Sequence, residues 1–284
     1  DITEEFGLNF GRLLQLNIGY DLIARCTSAV GTTSNGLPII LRNMDWDADI
    51  FRKLTIDVEF QRDGKTVYRG TTWVGFVGIL TAAKMETSLG AGYAVTLNFR
   101  WVATSLIWNV IGSLNNYWPI SFLIRDVLET KHSYETAVEA LATSLLMAPT
   151  YFIVCGPKKG EGVVLSRNRT TEEKRYLLGN EQDAVIAQTN CDQWVDKIDP
   201  VWAEGDPLLI DSVERRNSFK ENYKSITKEG HVDNYFIPLA STPVCNYQTL
   251  YSVIMSPGNS IYRSWTVGDT NTFLGDVKAS TNSS

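Results

Sequence analysis

Three side chains able to do nucleophilic chemistry fall close together near one end of the sequence. Cys26 lies in Ala24-Arg25-Cys26-Thr27-Ser28, and Arg42 and Asp45 lie in Arg42-Asn43-Met44-Asp45. A cation beside a cysteine favours the thiolate, the form that attacks an acyl carbon. The same residues also have a plainer reading, as a small buried hydrophobe at a strand start and a surface ion pair.

The elements that must position this group are two strands and the turn between them. Gly31-Thr32-Thr33-Ser34-Asn35-Gly36 carries an Asn-Gly pair between two β-rich runs, a strong hairpin signal. With Asn35 and Gly36 as the central turn residues, the count pairs 34 with 37, 33 with 38, and Cys26 with Asp45. Thiol and carboxylate would then share a ladder position, with Cα atoms about 4.5 to 5.5 Å apart. Period-two alternation sends Arg42 to the opposite face. Pro38 offers no amide donor and leaves the register open to a shift of one residue.

The whole chain limits the chemistry further. Its 284 residues, 44% hydrophobic and 20% charged, suit a substantial core in one large or two ordinary domains. A net charge of −6 argues against nucleic-acid binding, which needs a basic face. Cys26, Cys155, Cys191 and Cys245 show no C-x-x-C spacing, and His132 and His231 have no metal-ligand spacing, so neither a zinc site nor a cofactor is expected. A histidine-based triad is disfavoured for the same reason. The start Asp1-Ile2-Thr3-Glu4-Glu5 does not read as a signal peptide, and no apolar run approaches a membrane span. Two sequons, at Asn168 and Asn282, point to a secretory route.

Along the chain, a short apolar helix around Phe10 to Leu16 should run into a strand at Ile18 to Ile23. After the first hairpin, strands are expected at Leu54 to Gln61, Thr66 to Thr72, Val74 to Ala82 and Tyr93 to Phe99, without intervening helices. From Trp101 the spacing turns helical: Val102 to Leu114, a second helix beginning near Pro119, and a third over Tyr134 to Leu146 capped by Ser133. Strands resume at Tyr151 to Cys155, Gly162 to Arg167, Arg175 to Leu178 and Asp183 to Gln188. A charged helix covers 211 to 228, and Gln248 to Met255 reads as the last core strand. This order fits an α+β fold of two stacked antiparallel sheets covered by helices.

Stretches spread from about residue 10 to about residue 265 resemble the acid ceramidase and N-acylethanolamine-hydrolysing acid amidase family of N-terminal-nucleophile cysteine hydrolases, and several are closer to the acid amidase. They are Cys26-Thr27-Ser28, Arg42-Asn43-Met44-Asp45, Arg52 to Val58, Gly70-Thr71-Thr72 with Gly75 to Gly78, Glu161 to Val164 with Arg167-Asn168-Arg169, and Gln188-Thr189-Asn190. The resemblance implies a four-layer αββα sandwich. It also implies a chain cut at Arg25-Cys26, with residues 1–25 ending an α segment whose upstream part acts as partner, 26–278 forming the catalytic unit, and 279–284 a disordered tail. Lysosomal or secreted localisation is implied as well.

Hydrolysing an amide needs a nucleophile, a proton acceptor that later protonates the amine, and oxyanion donors. Once the bond before Cys26 is cut, its α-amine lies beside its own sulfur, and one residue supplies two of these. At acidic pH an α-amine with pKa about 7.7 is protonated and a thiol near about 8.5 is neutral, so Arg42 would have to stabilise a thiolate beside the ammonium. By resemblance Asp45 holds the amine, Asn190 provides the oxyanion amide, and Arg215 is brought to the site. From position alone Asn190 reads as a turn residue and Arg215 as helix-surface charge, and the assignment could slip to Arg216. In Leu97-Asn98-Phe99-Arg100, Phe99 replaces the family's usual glutamate, while Asn98 could offer an oxyanion amide. The apolar stripe from Trp101 through Trp108 to Ile124 reads first as core. By resemblance it is a helix pair that rests on lipid and admits an acyl chain. The implied substrates are fatty-acid amides such as N-acylethanolamines. Ceramide is the alternative, and an inactive lipid-binding relative is a reading of another class.

Overall fold

The computed structural model describes Asn17 and residues 25–85, 92–102, 112, 115, 117–179, 184–199, 201, 203, 207–226 and 231–268. The expected helix at 10–16, strand at 18–23, helix at 102–114 and tail at 279–284 lie wholly or largely outside these residues.

The first hairpin forms as expected, from β1 (Arg25–Thr32) and β2 (Pro38–Asp45). Its turn holds three residues, not two. Thr33 N donates to Leu37 O at 2.9 Å, Gly36 N donates to Thr33 O at 2.9 Å, and Gly36 takes a φ of +83°. This is a type I turn closed by a left-handed glycine, the next most common hairpin geometry after the two-residue loop. The register therefore moves by one: Cys26 pairs with Met44, Arg25 with Asp45, and Ser28 with Arg42. The expected Cys26 to Asp45 pairing is corrected, and a one-residue slip exchanges faces. Arg42 and Cys26 now share a face, and Asp45 lies on the other.

Helix α1 (Ile50–Leu54) leads into β3 (Thr55–Arg62) and β4 (Lys65–Trp73), joined by the two-residue turn Asp63-Gly64 with both φ positive. The expected strand over Val74 to Ala82 is only partly formed. Residues 74–80 are irregular, and β5 spans Thr81–Lys84. Then come β6 (Tyr93–Phe99), α2 (Ile120–Thr130), α3 (Tyr134–Thr143), β7 (Thr150–Cys155), β8 (Gly162–Arg167), β9 (Glu172–Leu177) and β10 (Val185–Gln188). Pro119 precedes α2, and Ser133 caps α3 in a reciprocal box with Thr136. The charged stretch forms α4 (Ser212–Lys224), followed by the short α5 (Ile237–Ala240) and β11 (Thr249–Ser256). A further strand, β12 (Ile261–Thr266), half-exposed, pairs with β11 at the sheet edge, so β11 is the last buried strand but not the last strand.

One sheet runs β10-β1-β2-β11-β12 and the other β3-β4-β5-β6-β7-β8-β9, with the paired strands antiparallel throughout. Alternation along β1 and β2 sets the layers. Cys26, Val30, Ile40 and Met44 join the core between the sheets, which continues to Leu123, Val127 and Leu141 on α2 and α3. Ala29, Ile39 and Leu41 point the other way, against Phe219 and Tyr223 of α4 and Leu239 of α5. The result is the four-layer αββα sandwich. Among the described residues no helix is long and apolar enough to cross a membrane.

Candidate active site

Cys26 stands at the start of β1, wholly buried, at the end of the sheet where β2 finishes and β10 runs out. On the inner face its Sγ lies 3.7 Å from Met44 Sδ, and Arg42 Nη2 lies 3.5 Å from the same sulfur, so thiol and guanidinium flank one thioether. Arg42 Nη1 donates to Ser28 Oγ at 3.0 Å, to Asn98 Oδ1 at 2.6 Å and to Leu97 O. Ser28 Oγ donates in turn to Asn98 Oδ1 at 2.8 Å and accepts from Thr96 Oγ1 at 3.2 Å. Arg42 Nη1, Ser28 and Asn98 thus form one buried, hydrogen-bonded cluster across the two sheets.

The backbone of Cys26 is held on both sides. Ser28 pairs with Gln188 in the β1 to β10 ladder, and continuing that count by two brings Asn190 opposite Cys26. Cys26 N donates to Asn190 Oδ1 at 3.0 Å, and Asn190 Nδ2 donates to Phe99 O at 2.9 Å. Cys26 O accepts from Asn98 Nδ2 at 3.3 Å and from Arg215 Nη1 at 3.1 Å.

Arg215 comes from α4 on the outer face, and the other guanidinium bonds fix it there: Nη1 to Thr27 Oγ1 at 2.8 Å and Nη2 to Asn190 Oδ1 at 3.1 Å. The next residue, Arg216, turns away to Asp192 O at 2.9 Å and Val195 O at 2.6 Å, so of the two arginines it is Arg215 that contacts Cys26. Asp45 lies behind Cys26. Its Oδ2 is 3.5 Å from Arg215 Nη1 and its Oδ1 accepts from Thr249 Oγ1 at 2.7 Å, so its link to Cys26 runs through Arg215. Burial pushes the Asp45 carboxyl above its ordinary value, with Arg215, Thr249 and Arg42 pulling the other way. Burial likewise lowers Arg215, opposed chiefly by Asp45.

A second cluster fastens the Asn190 loop to the facing sheet. Asp192 accepts from Arg100 Nε at 2.8 Å and Nη2 at 2.9 Å, from Tyr151 at 2.8 Å and from Ser166 at 3.2 Å.

No family model matches the sequence. Individual proteins do. The N-acylethanolamine-hydrolyzing acid amidase of Caenorhabditis elegans is 33% identical over 271 residues, covering 90% of this chain and 71% of that protein. The acid ceramidase of Heterocephalus glaber is 31% identical over 286 residues, 93% of this chain and 67% of the relative. The solved structure of a Caenorhabditis elegans acid amidase ortholog superposes with a TM-score of 0.71 at 31% identity, covering 86% of this chain and all of that one.

The chain belongs to the acid amidase and acid ceramidase family of N-terminal-nucleophile hydrolases.

For a member of this family, the structure brings together Cys26, Arg42, Asp45, Asn190, Arg215 and Asn98, all fully buried. Phe99 and Trp101 meet edge to face at 6.5 Å beside them, and the Arg25 guanidinium carbon lies 5.5 Å from the Phe99 ring centre. Trp108 and Asn282 lie outside the described residues. Asn168 lies on a half-buried turn, accepting from Arg100 Nη1 at 2.8 Å and donating to Glu173. Among the described residues no three His, Cys, Asp or Glu side chains could hold a metal ion.

Sequence reasoning gave no role to Ser28, Thr27, Met44, Asp192 or Thr249. Ser28 was within reach, because two residues along a strand from Cys26 is the same face. Asp192 and Thr249 depend on contacts between distant segments and left no local signal.

Proposed function

We propose that this chain is a cysteine amidase that hydrolyses fatty-acid amides such as N-acylethanolamines, activated by cutting its own Arg25-Cys26 bond. The reading is carried by the fixing of Cys26 at both ends of its backbone, by Asn190 at the amide and by Asn98 and Arg215 at the carbonyl, with its sulfur on the Arg42 face.

In activation, Sγ adds to the Arg25 carbonyl carbon, the bond to Cys26 N breaks, and that nitrogen takes the thiol proton. Water then hydrolyses the thioester, leaving an Arg25 carboxylate and a Cys26 with thiol and α-amine. The amine keeps Asn190 Oδ1 as its acceptor. Turnover repeats the sequence on substrate: thiolate attacks the acyl carbon, the ammonium protonates the departing amine, and water releases the fatty acid. Arg42 stabilises the thiolate. Asn190 Nδ2, which has a second N–H besides the one given to Phe99 O, serves the oxyanion. Asp45 acts as a positioning residue by holding Arg215.

The activity named for the amidase relative supports the acyl amide, and the ceramidase relative supports ceramide as the alternative substrate. The same family resemblance supports an upstream α segment as partner and an acidic lysosomal or secreted setting, and the two sequons support glycosylation at Asn168 and Asn282. Trp118 and Leu145, 41% and 45% exposed and joined by a 2.9 Å backbone bond, offer an apolar surface for peripheral contact with lipid.

Intact mass before and after incubation at acidic pH, paired with a fluorogenic acyl amide, tests the proposal. Two fragments meeting at Cys26, with turnover that Cys26→Ala abolishes, are expected. One unsplit mass with no turnover overturns the hydrolase and leaves the inactive lipid binder.

A further inference from the structure

The residue before the nucleophile is sequestered: Arg25 is 6% exposed, and its guanidinium lies over Phe99, itself 3% exposed. On the proposed mechanism, self-cleavage and substrate hydrolysis form thioesters on one and the same sulfur. In the first the acyl group is Arg25, and in the second it is the fatty acyl chain. The reacting carbonyl must approach Sγ alike in both, so the group attached to it enters the space that Arg25 fills in the uncut chain. With the carbonyl carbon as the first atom, Arg25 runs through Cα, Cβ, Cγ, Cδ and Nε to Cζ. That atom, the seventh, is the one placed over the ring.

We infer that Phe99 walls the acyl channel at about the seventh carbon of the substrate chain, and so sets acyl-length preference. The inference rests on the amidase reading. It also assigns a use to the residue at which this chain departs from the resembled pattern: an aromatic face suits methylenes, where a carboxylate would have to be desolvated against them. Trp101, edge-on to Phe99 at 6.5 Å, braces the ring.

The test uses the self-processed protein and amides of one fluorogenic arylamine carrying butanoyl, octanoyl or hexadecanoyl groups. Phe99→Ala is expected to raise KM on the two longer substrates about tenfold more than on the butanoyl one. Phe99→Leu, which keeps an apolar wall, should retain the parent profile. An equal effect at all three lengths, or none at any, overturns the assignment. If the parent turns over none of them, the amidase reading fails by itself, and the wall is then read from protection of Cys26 against iodoacetamide. Protection by hexadecanamide but not butanamide, lost in Phe99→Ala and kept in Phe99→Leu, supports it; length-independent protection or none overturns it.

Discussion

Ser28 and Arg42 are direct partners in the β1 to β2 ladder, and the guanidinium donates to the serine hydroxyl at 3.0 Å on the face that carries the Cys26 sulfur. That hydroxyl is bonded at once to Arg42, Asn98 and Thr96, with no access to water. Ser28→Ala should cost about 1 to 3 kcal/mol in urea unfolding, because buried partners lose a shared bond that no solvent replaces. Since Arg42 would be held less firmly, alkylation of Cys26 by iodoacetamide at acidic pH should slow several-fold in the acid-incubated protein. A stability loss with an unaltered alkylation rate would limit Ser28 to packing.

Arg215 and Asp45 form a wholly buried ion pair. Arg215→Met leaves the carboxylate without its main counter-charge and should destabilise by about 3 to 5 kcal/mol. Adding Asp45→Leu should restore part of that loss, and a double-mutant cycle in chemical denaturation measures how much. Additive single effects would show that the two are not coupled.

Burial raises the Asp45 carboxyl, so the native chain holds this proton more tightly than the unfolded one. Stability from this group is therefore fully present below the usual carboxylate range and falls as pH rises through the raised value. Asp45→Asn removes that dependence. Whatever its absolute stability, the melting temperature of the variant relative to the parent should rise between pH 4 and pH 7. Scanning fluorimetry at several pH values checks the sign.

Gly36 holds a φ of +83°. Gly36→Ala should cost about 1 kcal/mol through backbone strain, with acyl-amide turnover per folded molecule unchanged. A loss of specific activity would mean that the strain reaches the strand pairing.

Much of the architecture was legible because its signals are local. The Ser133 cap and the strand Tyr93 to Phe99 each need only a few neighbouring residues. The Asn35-Gly36 pair announced a hairpin correctly but not its loop length, since Gly36 serves either as the second residue of a two-residue turn or as the left-handed residue closing a three-residue one. That single ambiguity put Arg42 and Asp45 on exchanged faces. Positions such as 74–80 fail for another reason. Their apolar residues pack onto the core, Phe76, Ile79 and Leu80 being buried, so burial gave a strand-like pattern without ladder bonds along its length. The clasp between Asp192 and Arg100 joins residues 92 apart in sequence and was invisible to any window.

The loop of Ser34, Asn35 and Gly36 works as an indexing stop for the whole reactive centre. Removing or inserting a single amino acid inside it, while the first strand stays docked on β10, would rotate the second strand half a turn and present the carboxylate to the interior and the guanidinium to the helices. Anyone grafting an epitope or a fluorophore anchor at that hairpin must therefore preserve the closing pair Thr33 and Leu37, and place added sequence between them in a form that returns the chain in step.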